Sequence, residues 1–170
     1  DCQARPTPMR NDVGMQIRSA EPRDLDVLCQ LRIEFLTEYR GLAPDAVSDH
    51  FVDETRRFFQ RTQANGTVLS WIAEDEGRTV GIVSVVLQDA PPHPEDPRSV
   101  EGLLINMFVR RPERGSGIGR LLLRACLASA PDYGIRRFNL YATEAGRPLY
   151  VNEGFSHRDD WMVLHLPHSS

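Results

Sequence analysis

The chain has 170 residues, 41% hydrophobic and 26% charged, with a net charge of −4 at pH 7. Those values suit one water-soluble domain with a full core, and the acidic balance argues against nucleic acid as a partner, which would demand a basic face. All 20 basic residues are arginine, so the lysine-dependent nucleotide-triphosphate loop and Schiff-base chemistry are both excluded.

Residues 1–14, with two prolines and no periodicity, read as a disordered extension or tag remnant, leaving 15–170 as a single domain. No charged start followed by an apolar block marks a signal peptide. "MQIRSA" is a first short strand, after which Pro22 opens a helix; proline suits the first turn, where its missing N–H costs nothing. Leu25, Leu28, Leu31, Phe35 and Tyr39 recur at helical spacing, and Gly41 is the expected stop. A second helix over "SDHFVDETRRFFQRTQANG" takes Ser48 or Asp49 as its cap and lines one face with Phe51, Val52, Thr55, Phe58, Phe59 and Thr62.

"TVLSWIAEDEGRTVGIVSVVLQD" reads as a hairpin turning at Glu76-Gly77. A proline-rich loop, "APPHPEDPRSVEG", leads into "LLINMFV", an apolar strand expected to be buried on both faces. Next come a glycine-rich stretch, a helix over about 117–130, a strand "RRFNLYA", a short helix "GRPLYVNEG" and a last strand pair in "FSHRDDWMVLHL". The order β-α-α-β-β-β-α-β-α-β predicts an α+β fold, a mixed sheet with helices on it. Cys2, Cys29 and Cys126 show no zinc or redox spacing. No apolar run approaches the roughly 20 residues of a membrane span. A reduced, cytoplasmic, metal-free protein is the expectation.

"VRRPERGSGIGRLLLRA" joins the apolar strand to a helix through three glycines. The first N–H groups of a helix lack partners and, with the helix dipole, attract an anion. Glycines turn the amides inward and let a phosphate approach without meeting a Cβ, and Arg114 and Arg120 can add charge-assisted bonds. The stretch therefore suits a diphosphate. A plain flexible turn is the alternative; a dinucleotide fingerprint fits poorly, because Arg120 stands where a third glycine is required.

The stretch resembles the coenzyme A pyrophosphate loop of the GNAT superfamily of N-acetyltransferases: Arg or Gln, two residues, Gly, one residue, then Gly or Ala, met by Arg114, Gly117 and Gly119. "GRPLYVNEGF" is similar to the family's second signature, and "MQIRSAEPRDLDVLCQLRIEFL" to a family N-terminus. The resemblance covers residues 15–166 and implies a mixed, mostly antiparallel sheet flanked by helices, with acetyl-CoA at a splayed strand and the glycine loop. It implies that Met107, Phe108 and Val109 pair with the pantetheine amides, and that the amides of Arg114, Gly115, Ser116, Gly117, Ile118, Gly119 and Arg120 hold the diphosphate. Tyr150 would protonate the departing thiolate, and Thr143 stands where the family often has Asn, a hydroxyl in place of an amide toward pantetheine.

The implied activity is transfer of acetyl to a primary amine of a small molecule or protein by direct attack; a non-catalytic acyl-CoA sensor on the same fold is the alternative. An amine with a pKa near 10.4 is about three units from neutral pH, an activation demand of roughly 4–5 kcal/mol. Some members place a base on the coenzyme-binding strand at the position of Leu103; Glu101, two residues earlier and on the same face, is the first candidate base, with Glu38 and His93 behind it. An N–H near Phe108 or Val109 is the expected oxyanion donor. Residues 21–54 hold nine Asp or Glu against Arg23, Arg32 and Arg40, a surface that would attract a cationic amine. Relatives commonly form homodimers, so pairing is expected too.

Overall fold

The computed structural model describes residues 9–10, 14–92, 94, 100–158 and 162–164. Met9–Arg10 (β1) pairs with Met15–Ser19 (β2), so the segment expected outside the fold gives the sheet a two-residue edge. A short 3-10 turn at Pro22–Asp24 then feeds α1 (Leu25–Arg40). Asp24 fastens this entry: it accepts from the Glu21 amide at 2.7 Å and pairs with Arg18 at 2.8 Å, which also reaches Glu74.

Ser48 caps α2 (Asp49–Ala64), accepting from the Phe51 N–H at 3.2 Å. Strands β3 (Val68–Asp75) and β4 (Arg78–Asp89) form the expected hairpin, with positive φ at Glu76 and Gly77, a geometry that matches strand twist. Then follow β5 (Val100–Val109), α3 (Ile118–Ala128), β6 (Ile135–Leu140) and α4 (Arg147–Asn152).

The sheet runs β1-β2-β3-β4-β5-β6, antiparallel throughout except for the parallel β5–β6 pair. Period-2 alternation sends Trp71, Ala73, Val83, Val85 and Leu104 to the face covered by α3, where they meet Ile118, Leu122, Leu123 and Cys126. Ile72, Ile82 and Phe108 go to the opposite face against Leu28, Leu31 and Phe59 of α1 and α2. Leu122 is fully buried, so Leu122→Ala should cost about 2–5 kcal/mol, read as a lowered denaturant midpoint with acetyl-CoA absent.

The last strand is a correction. Residues 155–158 and 162–164 are irregular, and the rest of the expected span lies outside the described residues. The Phe155 N–H donates to the Tyr150 carbonyl at 3.0 Å and its ring packs edge-on against Tyr150, so Phe155 closes α4 instead of starting a strand. Among the described residues no helix is long and apolar enough to cross a membrane, and no cluster of side chains is built to hold a metal.

Candidate active site

The site begins as an irregularity in β5. Ile105 pairs with Ser84 and Phe108 with Ile82, so Asn106 and Met107 together oppose Val83, a β-bulge. Asn106 takes φ +54°, a left-handed conformation that asparagine tolerates better than most residues. On the other side the ladder to β6 stops at Leu104–Leu140. Among the described residues Ile105–Val109 therefore have β4 as their only strand partner, and β6 no longer pairs with their second backbone edge. Met107, Phe108 and Val109 all lie on this edge, with Phe108 buried under α1.

Beyond β5, a 3-10 turn at Arg111–Glu113 leads to Gly115 and Gly117, at φ +84° and +86°, then to the start of α3 at Ile118. The Leu121 N–H is the first to close onto the helix, bonding the Gly117 carbonyl at 3.1 Å. The preceding N–H groups have no helical acceptor, as at any helix start. A Cβ at Gly115 or Gly117 would meet nothing within 4 Å, so the space beside the loop is open. Gly119 marks the convergence of three elements: its Cβ would lie 3.5 Å from Leu149 of α4 and 3.9 Å from Val109 of β5.

The arginines of the loop turn elsewhere. Arg114 donates to the Val109 carbonyl at 2.7 Å, pairs with Glu38 at 2.7 Å and lies 5.5 Å over the Phe108 ring. Arg120 is 3.7 Å from Glu153. Arg110 grips Glu34 with two bonds of 2.8 and 2.9 Å. Glu34 and Glu38 sit one turn apart on α1 and so tie that helix to both ends of the loop. The Arg114 guanidinium holds the Glu38 carboxyl below the usual range, which makes Glu38 a poor base.

The acidic stretch is largely neutralised in place. Of its nine carboxylates, six pair with arginine: Glu21 with Arg23, Asp24 with Arg18, Asp26 with Arg56, Glu34 with Arg110, Glu38 with Arg114 and Glu54 with Arg57. A linear charge count overstated the pull on a cation.

Tyr150 is 8% exposed in the core that α3 covers. Burial pushes its phenol up to about 12, so it carries its proton at neutral pH, and no described residue hydrogen-bonds its hydroxyl. Thr143 accepts from the Gly146 N–H at 3.0 Å and so holds the start of α4, leaving its own hydroxyl proton free to donate. Glu101 lies early in β5, where Asn139 donates to one oxygen at 2.8 Å and Arg137 pairs with the other at 3.1 Å. It precedes Ile105 by four residues, about 13 Å along a strand. His93 lies outside the described residues.

On the opposite face of the bulge is a cavity of about 230 Å³ lined by Arg32, Phe51, Glu54, Thr55, Phe58, Ile105 and Asn106. Arg32 and Asn106 went unnoticed in the sequence as site residues. The visible sign was a lone asparagine inside the apolar run "LLINMFV".

The Acetyltransferase (GNAT) family profile matches residues 30–155. The chain belongs to that family. Among GNAT structures it is similar to a predicted acetyltransferase from Clostridium acetobutylicum, crystallised with acetyl-CoA: 28% identity, TM-score 0.79, covering 89% of this chain and 96% of that one. A GCN5-related N-acetyltransferase from Ralstonia eutropha JMP134 is 26% identical with TM-score 0.73, covering 89% and 99%. Glucosamine-6-phosphate N-acetyltransferase from Arabidopsis thaliana shares the fold at 18% identity and TM-score 0.64, covering 90% and 99%. No curated protein sequence matches the chain.

Proposed function

We infer that this GNAT-family protein transfers an acetyl group from acetyl-CoA to an amine. The observation that carries the reading is the edge of β5 beyond its bulge, which β6 leaves unpaired, set directly against the glycine loop at the start of α3. An open strand edge suits the amides of a pantetheine arm, and a helix start with exposed main-chain N–H groups suits a diphosphate. The structure crystallised with acetyl-CoA covers most of both chains, which supports the same reading.

Acetyl-CoA supplies an activated thioester carbonyl; the protein supplies position and protons. The amides of residues 115–120 hold the diphosphate; contrary to expectation the Arg114 N–H is taken by the Arg111 carbonyl at 3.2 Å, and the Arg114 side chain shapes the loop through Glu38 and Val109 instead of reaching for phosphate. Met107 to Val109 present backbone groups to the arm, and an N–H near Phe108 is placed to receive negative charge on the carbonyl oxygen. The Thr143 hydroxyl donates from the rim of α4, and Tyr150 holds the proton for the departing thiolate. Both oxygens of Glu101 are engaged and it is remote from the bulge, so water, in place of Glu101, takes the proton from the incoming ammonium.

Acetyl-CoA at 100 times its Kd should add about 2.7 kcal/mol of stability, read as a rise in Tm. Mass spectrometry over an amine panel should then show products heavier by one acetyl group. A flat melting curve together with an unmodified panel would refute the reading.

A further inference from the structure

Arg32, on α1, sends its guanidinium into the cavity at the bulge, and among the described residues no carboxylate compensates its charge. This sets it apart from Arg18, Arg56, Arg110 and Arg114, each paired with an acid. A half-buried cation without a counterion is costly unless something supplies the charge. Its hydrogen bond goes to the Asn106 side-chain oxygen, which fixes how the amide is turned: the oxygen faces Arg32, so the nitrogen faces away. Asn106 is 3% exposed, and its Nδ2 is a buried donor with no partner. Such an orphan calls for an explanation.

The orphaned nitrogen is covered by protein, so the group that meets the cavity is Arg32, held by Asn106 and lying 5.8 Å over the Phe35 ring but matched by no acid among the described residues. It asks for a ligand carrying negative charge. A carboxylate answers it, because its two oxygens match a guanidinium fork. Of the remaining walls, Phe51, Phe58 and Ile105 favour an apolar group; Thr55 gives its hydroxyl proton to the Phe51 carbonyl, and the Glu54 carboxylate pairs with Arg57. At about 230 Å³ the space is smaller than the range of about 300–1,000 Å³ usual for ligand pockets. That scale suits an amino acid better than an oligosaccharide.

We propose that this cavity binds the acceptor, a small neutral α-amino acid whose carboxylate rests on Arg32 and whose apolar side chain lies against Phe51, Phe58 and Ile105. It rests on the acetyltransferase reading above and names the substrate class of that site. Asn106 is itself part of the bulge, and in an α-amino acid only one carbon separates nitrogen from carboxylate. A carboxylate held on Arg32, which is bonded to Asn106, therefore brings the amine toward the bulge. The ammonium loses one proton to water. Its nitrogen forms the bond to the acetyl carbon and gives up a second proton to water as the C–S bond breaks, and the sulfur leaves with the proton from Tyr150. The products are an N-acetyl amino acid, free thiol and one net proton, and water restores the phenol.

The test compares L-leucine with L-leucinamide and 3-methylbutylamine, which differ only at the carboxylate, and adds glucosamine 6-phosphate as an anion of another shape. Wild type should favour leucine by at least about 30-fold in kcat/KM, in line with one charge-assisted contact. Arg32→Met should abolish that preference, leaving leucine and leucinamide within about threefold. Calorimetry should detect leucine binding to wild type with CoA present and none to Arg32→Met. The CoA-induced Tm shift must survive in Arg32→Met, which shows that the variant folds. A preference for the neutral amines or the sugar phosphate, or a leucine preference untouched in Arg32→Met, would overturn the proposal. If CoA binds but leucine neither binds nor reacts, the carboxylate site is refuted and the acetyltransferase reading stands; if CoA fails to bind wild type, the acetyltransferase reading itself has failed.

Discussion

Tyr150→Phe should lower kcat by about 10²–10⁴-fold, the range for losing a placed general acid, while acetyl-CoA affinity and Tm stay close to wild type. The ring is the structural asset: it is 8% exposed and meets Phe155 edge-on with centroids 5.8 Å apart, and phenylalanine keeps that contact. The hydroxyl takes no hydrogen bond from a described residue, so its removal strands no partner. A phenol at about 12 would be a poor donor to a thiolate in water, since an ordinary thiol sits near 8.5. The site is not water: the desolvation that raises the phenol also disfavours a thiolate beside it, which narrows the gap between donor and acceptor. The kcat of wild type should accordingly show no alkaline loss due to Tyr150 between pH 6 and pH 10, a window well below its ionisation. Equal kcat in wild type and Tyr150→Phe would remove the residue from the mechanism.

What the sequence revealed was what depends on near neighbours. Leucines three and four apart placed α1, Ser48 marked the start of α2, and Glu76-Gly77 turned the hairpin. The glycine run also announced its own conformation, since positive φ at Gly115 and Gly117 needs no distant partner. What stayed hidden depends on pairing across the sheet. The bulge at Asn106 exists only because β4 offers one residue opposite two, and β5 alone does not record that register. Strand alternation brought attention to Glu101, but Arg137 and Asn139, which occupy its oxygens, arrive from β6. The acidic stretch misled for the same reason: Glu34 meets Arg110 across 76 positions of chain, a distance at which local charge counting says nothing. Arg32 becomes notable only once Arg18, Arg56, Arg110 and Arg114 are each seen to have an acid, while among the described residues it has none.

Gly117→Ala should raise the Kd for CoA by about 10–100-fold, whereas Gly134→Ala should leave it unchanged. The two positions make a controlled pair. Both have left-handed backbones, at φ +86° and +66°, and in both a Cβ would meet nothing within 4 Å. An L-residue there costs roughly 1–2 kcal/mol of conformational strain, so the two variants should lose similar stability in the absence of ligand. They differ in what lies in front of them. Gly134 ends the turn before β6, whereas Gly117 is the residue whose carbonyl closes the first turn of α3. A methyl group at 117, or the shift that relieves its strain, moves the amides meant for the diphosphate, and one charge-assisted bond of about 1.5–3 kcal/mol converts to that change in Kd. Calorimetric titration of both variants settles the matter. Equal weakening would trace the effect to stability alone, and no weakening in Gly117→Ala would mean that the loop at the start of α3 is not where the coenzyme's phosphates rest.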